Sequence, residues 1–175
     1  SEIEDVLRKL RKLLREDEKR VEDANRRDRD TVRKIEKRSE EAFKESKETN
    51  KRIEDKVRKT GPTDEVRKEL EDDKKRVDDA HRKSEEDIRR NDKENEEFLE
   101  ESRKTNEDIK EEVDRKIKVK EVVEEVRDDS RRVEEKLRRL SKEDKEENDK
   151  IRRRDRKLVE DLRRDSDRIL RKVET

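Results

Sequence analysis

Residues 1–60 read SEIEDVLRKLRKLLREDEKRVEDANRRDRDTVRKIEKRSEEAFKESKETNKRIEDKVRKT, and their spacing decides the fold. Taking positions three or four apart gives Ile3, Leu7, Leu10, Leu14, Asp17, Val21, Asn25, Asp28, Val32, Ile35, Ser39, Phe43, Ser46, Asn50, Ile53 and Val57. The steps repeat every 18 residues, which is five turns at 3.6 residues per turn, the period of a straight α-helix. A strict heptad would wind a left-handed supercoil instead. A single apolar stripe on an otherwise charged helix demands partners to cover it.

Two further stretches carry the same lattice. One runs through Val66, Leu70, Asp73, Val77, His81, Ser84, Ile88, Asn91, Asn95, Leu99, Ser102, Asn106, Ile109, Val113 and Ile117. The other takes Val119, Val123, Val126, Ser130, Val133, Leu137, Ser141, Asp144, Asn148, Ile151, Asp155, Val159, Leu162, Ser166, Ile169 and Val173. These are 47 positions, and none holds Lys, Arg or Glu, although 65% of the 175 residues are charged. Placement without regard to helical phase cannot produce that exclusion. The apolar residues outside the lattice, such as Val6, Leu13, Ala24, Ala42, Ala80, Phe98, Val122, Leu140, Leu158 and Leu170, each adjoin a lattice position and widen the stripe.

The breaks fit three helices. Thr60-Gly61-Pro62-Thr63-Asp64 sets a Gly past the last periodic residue, then a Pro, then a Thr or Asp cap. The second break falls within 115–121, where the two-residue step from Ile117 to Val119 interrupts the period without a Gly or Pro; a helix continuous through it is the alternative. Ser1 suits the N-cap of the first helix. Helices over about 2–60, 64–116 and 119–174 joined by short connections predict an all-α, antiparallel up-down-up three-helix bundle. At 1.5 Å per residue the helices would form an elongated rod of about 85 Å, read as a single domain over 1–175.

The composition excludes much. A formal net charge of zero, one Gly, one Pro, one His, two Phe and no Cys, Met, Trp or Tyr leave no phosphate-cradling loop and no thiolate. No run nears the ~18–20 apolar residues of a membrane span, and no N-terminal apolar run suggests a signal peptide. Charges of both signs are interspersed throughout, and the Arg-rich run Ile151-Arg152-Arg153-Arg154 is followed at once by Asp155 and reads as solvated helix surface, so no basic face for nucleic acid is expected. Such a composition alone would suit a disordered chain. The phase-locked lattice argues otherwise.

The polar lattice positions are the distinctive ones. Nineteen are polar: Asp17, Asn25, Asp28, Ser39, Ser46, Asn50, Asp73, His81, Ser84, Asn91, Asn95, Ser102, Asn106, Ser130, Ser141, Asp144, Asn148, Asp155 and Ser166. They include all six Asn and the single His. These are poor helix formers, so helix propensity does not put them there. Their confinement to the inward stripe predicts buried hydrogen bonding. Antiparallel register places Asp17, Asn106 and Ser130 at one level, and Asp28, Asn95 and Ser141 at the next, close to Asn91 and Asp144. Ser39, Ser84 and Asn148 come near Ile35, Ile88 and Ile151, and Asn50 near Asp73 and Ser166. Apolar belts such as Val21, Leu99, Val133 and Leu137 should lie between, with apolar layers sealing both ends.

His81 facing Asp155 with Ser46 close has the residue types of a nucleophilic triad, but no pocket or oxyanion hole accompanies it. It is read as part of the polar network, and no enzyme activity is expected. A carboxylate-bundle metal site needs Glu in the core, and there is none, so neither metal nor cofactor is expected.

Together, the equal helices, the 18-residue repeat, the Gly-Pro-Thr-Asp loop and the Asn/Asp/Ser/His layers resemble de novo designed helical bundles with buried hydrogen-bond networks. The resemblance spans the whole chain. It implies no natural biochemical function and a structural scaffold testing a polar core, or else a self-assembly or hetero-association module. No partner is required on this reading. A monomer is expected, with a homo-oligomer the alternative, soluble and cytoplasmic when expressed recombinantly.

Overall fold

A computed structural model describes residues 1–115 and 119–174. Three helices account for nearly all of them: α1 (Glu2–Arg58), α2 (Asp64–Arg115) and α3 (Val119–Glu174). Ile117 and the expected step to Val119 lie partly outside the described residues. The helix ends are built as the sequence suggests. Ser1 Oγ accepts the Glu4 amide at 3.3 Å, and Thr63 Oγ1 accepts the Val66 amide at 3.3 Å. Acidic residues occupy the first turn of each helix and basic residues the last, complementing the helix dipole.

Helix α1 stops two residues before the expected Thr60. The Thr60 amide and hydroxyl both turn back to the Val57 carbonyl, at 3.1 and 2.8 Å, and Gly61 then takes φ +66°. A Cβ at Gly61 would meet nothing within 4 Å, so the strain there is purely backbone. Gly61→Ala is therefore expected to lower stability by about 1 kcal/mol, the cost of a left-handed non-glycine residue, measured by urea unfolding.

The described residues form two compact units. One comprises Ser1–Thr31 with Arg90–Lys145, and the other Val32–Arg89 with Glu146–Thr175. All three helices contribute to each, and within each α2 runs opposite to α1 and α3. In the first unit, one apolar cluster joins Leu7, Leu10 and Leu14 to Ile109 and Val113 and to Val122 and Val126. A second joins Val21, Leu99 and Val133, flanked by Phe98 and Leu137, which is the expected apolar belt. The second unit has three clusters. Val32, Ile88 and Ile151 pack with Ile35; Val77, Leu158 and Leu162 pack with Phe43 and Ala80; and Ile53, Val57, Val66, Leu70 and Ile169 pack with Leu170 and Val173.

The inward stripe of α3 differs from expectation in one respect. Val122, Leu140 and Leu158, themselves 18 residues apart, are buried, whereas their neighbours Val123 and Val159 are half-buried and Ser141 is exposed. At this phase two consecutive residues straddle the inward direction, one to each side. The apolar side chain takes the covered side, because burying a leucine gains about 2 kcal/mol and burying a serine gains none. Ile3 also departs: it is 56% exposed and does not seal the end of its unit.

Candidate functional site

Between the apolar clusters of each unit lie the polar layers, which gather the interior's chemically capable groups among the described residues. They exist because helical phase carries Asp, Asn, Ser and His inward at fixed intervals. In the first unit, Asp17 is buried and accepts a hydrogen bond from Ser130 Oγ. Asn106, also buried, donates through Nδ2 to the Leu14 carbonyl at 3.0 Å. A side-chain amide thereby bonds the backbone of a neighbouring helix, a contact that depends on register. Asp129 joins this layer at 5% exposure. Burial and the nearby Asp17 carboxylate push its carboxyl above the usual aspartate range, partly offset by Arg132. Half-buried Ser102 lines the same site, and Asp17, Ser102, Asn106 and Asp129 border a void of only about 10 Å³.

The next layer holds two carboxyls against each other. Asn95 Nδ2 donates to Asp144 Oδ2 at 3.4 Å, and Asn91 bonds the same carboxylate. Asp28 hydrogen-bonds Asp144, and a bond between two carboxyls requires that the pair share a proton. Burial, reinforced by the Asp144 charge and hydrogen bond, pushes the Asp28 carboxyl up to about 7 despite Arg27. Asp144 is also raised, by burial first, with the Asp28 and asparagine bonds acting against it. Asn95 Oδ1 and Asp144 Oδ1 are buried without a hydrogen-bond partner. Asn25 is half-buried near this depth of α1. Ser141, expected at this level, is exposed and takes no part; Leu140 holds the inward direction in its place.

In the second unit, Ser39 and Ser84 both hydrogen-bond Asp155, Ser84 at 3.3 Å. Burial raises the Asp155 carboxyl, while those hydroxyls, Arg154 and His81 pull it down. Beside it, Asp87 binds Arg154 at 2.8 Å with side-chain exposures of 8% and 18%. Asp87 and Asp129 are the buried acids that sequence spacing missed. Both sit one residue to the side of a lattice position, and 18-residue partners of theirs, Glu69 and Thr105 or Glu147 and Asp165, are half-buried too. That repeat was the available signal. Removing Asp87 strands a largely covered guanidinium, so Asp87→Ala is expected to cost about 2 kcal/mol in chemical denaturation. Exposed pairs such as Arg138–Glu134 should cost at most about 0.5 kcal/mol.

His81 is stacked on Phe43, centroids 3.9 Å apart and planes 13° from parallel, and Lys47 Nζ lies 4.6 Å over the same phenyl ring. Its Nε2 meets Glu85 Oε1 at 2.9 Å, while Nδ1 is buried without a partner. Ser46 Oγ donates to the Ala42 carbonyl at 2.8 Å. Ser46, His81 and Asp155 thus each bond a different group, and no proton relay connects them. Deeper in this unit, Asp73 hydrogen-bonds Asp165. Burial first, then that bond and charge, raise it to about 7, with Arg76 and Arg168 acting in opposition. Asn50 and Ser166 are buried, and Asn148 is half-buried beside Ile151 and Asp155. Asp165, not expected in the interior, belongs to the same side column as Asp129.

Among the described residues, no group of three or more His, Cys, Asp or Glu is placed to hold a metal ion, and no helix is long and apolar enough to cross a membrane. Searches of protein families, of curated proteins and of solved structures find no match to this chain.

Proposed function

We propose that the chain is a designed structural scaffold whose purpose is its own architecture: a three-helix bundle whose helices are held in register by alternating apolar and polar layers, with no biochemical activity of its own. The observation that carries this reading is the placement of the polar side chains. In each unit, layers of Asp, Asn and Ser sit between apolar clusters, and they bond across helices, as Ser130 does to Asp17 and Ser84 to Asp155. Buried polar groups of this kind favour the one alignment that satisfies them, since any slipped alignment leaves them unpaired at about 1–3 kcal/mol each.

The test replaces three polar members of one layer, Asp17, Asn106 and Ser130, with Leu, Leu and Val. A scaffold whose polar layers select its register should become harder to unfold but lose uniqueness, with doubled amide signals or mixed oligomers. A variant that stays a single monomeric species with one signal per amide contradicts that role.

A second reading, an assembly module, draws on two exposed apolar side chains of α1, Ile3 at 56% and Leu13 at 41%. Sedimentation equilibrium distinguishes the readings. A mass of 21.6 kDa at all concentrations supports the scaffold, and a concentration-dependent multiple supports assembly.

A further inference from the structure

The second unit carries an open cavity of about 340 Å³ between α1 and α3. Its origin is the same phase effect that buries Leu158. With Leu158 turned toward Val77 and Leu162, its neighbour Val159 faces α1, and the α1 residue at that depth is only an alanine, Ala42. The floor is accordingly apolar: Ile35, Ala42, Ile151 and Val159. The rim is not. Arg38, Arg152, Arg156 and Arg163 surround the opening, all exposed. Arg163 is held by Glu45 at 2.8 Å, but Arg38, Arg152 and Arg156 have no ion pair among the described residues. The carboxylates on the lining are Asp155, turned to Ser39 and Ser84, and Glu160. On a chain of zero net charge, this is a local excess of unpaired guanidinium over an apolar floor.

We propose that this groove binds a small amphiphilic organic anion, an aromatic or aliphatic body seated on Ile35, Ala42, Ile151 and Val159 with its sulfonate or carboxylate held by Arg38 and Arg156. The volume lies in the range of small-molecule sites, roughly 300–1,000 Å³, and such sites pair an apolar lining with a few orienting polar groups. Guanidinium matches a planar or trigonal oxyanion through paired N–H donors, which fixes the sign of the ligand's charge.

The chain has three alanines, Ala24, Ala42 and Ala80, so alanine methyl labelling yields three assignable signals, only one of them from the groove. The full-length protein is titrated with 2-naphthalenesulfonate, and with 2-naphthylmethanol as the neutral control. The expected result is a saturable shift of the Ala42 methyl at one equivalent, with Ala24 and Ala80 far less affected. The sulfonate should bind about tenfold more tightly than the alcohol, and the Arg38→Gln/Arg156→Gln variant should lose about tenfold in sulfonate affinity, as expected for lost charge-assisted bonds. Ala42→Leu should fill the floor and abolish binding while melting no lower than the parent. Four results would overturn the proposal: no shift at Ala42, equal shifts at all three methyls, equal affinity for sulfonate and alcohol, or unchanged sulfonate affinity in the arginine variant. The arginine variant alters only exposed side chains, so it keeps the question answerable even if Ala42→Leu is poorly folded.

Discussion

Lowering the pH from 8 to 5 is expected to stabilise this protein, the reverse of ordinary acid destabilisation. Asp28 and Asp73 each hydrogen-bond a second aspartate in a covered layer, and each is pushed from the ordinary 3.8 up to about 7. The folded protein therefore holds protons that the unfolded chain releases between pH 7 and 4, and stability rises as pH falls through that window. A full three-unit shift corresponds to about 4 kcal/mol per site, but both groups are only partly desolvated, and solvent screening reduces this to about 1.5 kcal/mol each. The total of about 3 kcal/mol should raise Tm by about 6–10 °C in a chain of this size. Asp129, Asp144 and Asp155 are raised as well and act in the same sense. Glu54, lowered chiefly by its bond to Lys74, opposes them from the surface. The variant Asp28→Asn/Asp73→Asn keeps a donor for each partner carboxylate without needing the proton. It should melt above the parent at pH 8 by a similar margin, with a flatter pH profile. Circular dichroism melts of both proteins from pH 5 to 8 check this.

The second large effect is expected from Leu162→Ala. Leu162 is 1% exposed and sits with Val77 and Leu158 in a cluster of the second unit. Only 22% of the residues are apolar, so each cluster is small and has few neighbours that can move in to fill a void. Truncation should cost about 3 kcal/mol, the middle of the range for buried Leu→Ala, and lower Tm by about 6–10 °C. Leu13→Ala makes the same chemical change at a 41% exposed site and should shift stability by no more than about 0.5 kcal/mol. The contrast measures burial rather than composition.

Helical phase makes the architecture legible in the sequence. The lattice through Leu7, Val21 and Val57 on α1, Val66, Leu99 and Val113 on α2, and Val126, Val133 and Ile169 on α3 is buried in the clusters that seal and separate the layers. Finer choices were not readable, and for physical reasons. Spacing cannot say which of two adjacent residues faces inward when both straddle the core direction, so it points Ser141 inside although Leu140 occupies the covered side. Nor does one stripe per helix account for side columns, where Asp87, Asp129 and Asp165 reach cover beside a neighbouring helix. The two carboxyl pairs depend on that second column or on a cross-helix distance, and neither is visible in the spacing of one helix. Antiparallel register puts Asp73 near Ser166, but it does not show that the hydrogen-bond partner is the adjacent Asp165. Hydrogen-bond direction was likewise beyond the pattern. Asn106 donates to a backbone carbonyl, that of Leu14, rather than to another polar side chain.

The central claim is that polar side chains of the inner seam are withdrawn from water and bonded across helices. The chain contains six Asn and no Gln, so its side-chain amide NMR signals come from those six residues alone. Hydrogen exchange of these NH₂ groups in uniformly ¹⁵N-labelled protein measures the claim directly. Asn50, Asn95 and Asn106, at 6%, 4% and 6% exposure, should exchange at least about a hundredfold more slowly than a free amide, because exchange requires opening of the surrounding packing. Half-buried Asn25, Asn91 and Asn148 should exchange faster than these three. Six amides exchanging together at the free rate would contradict the account.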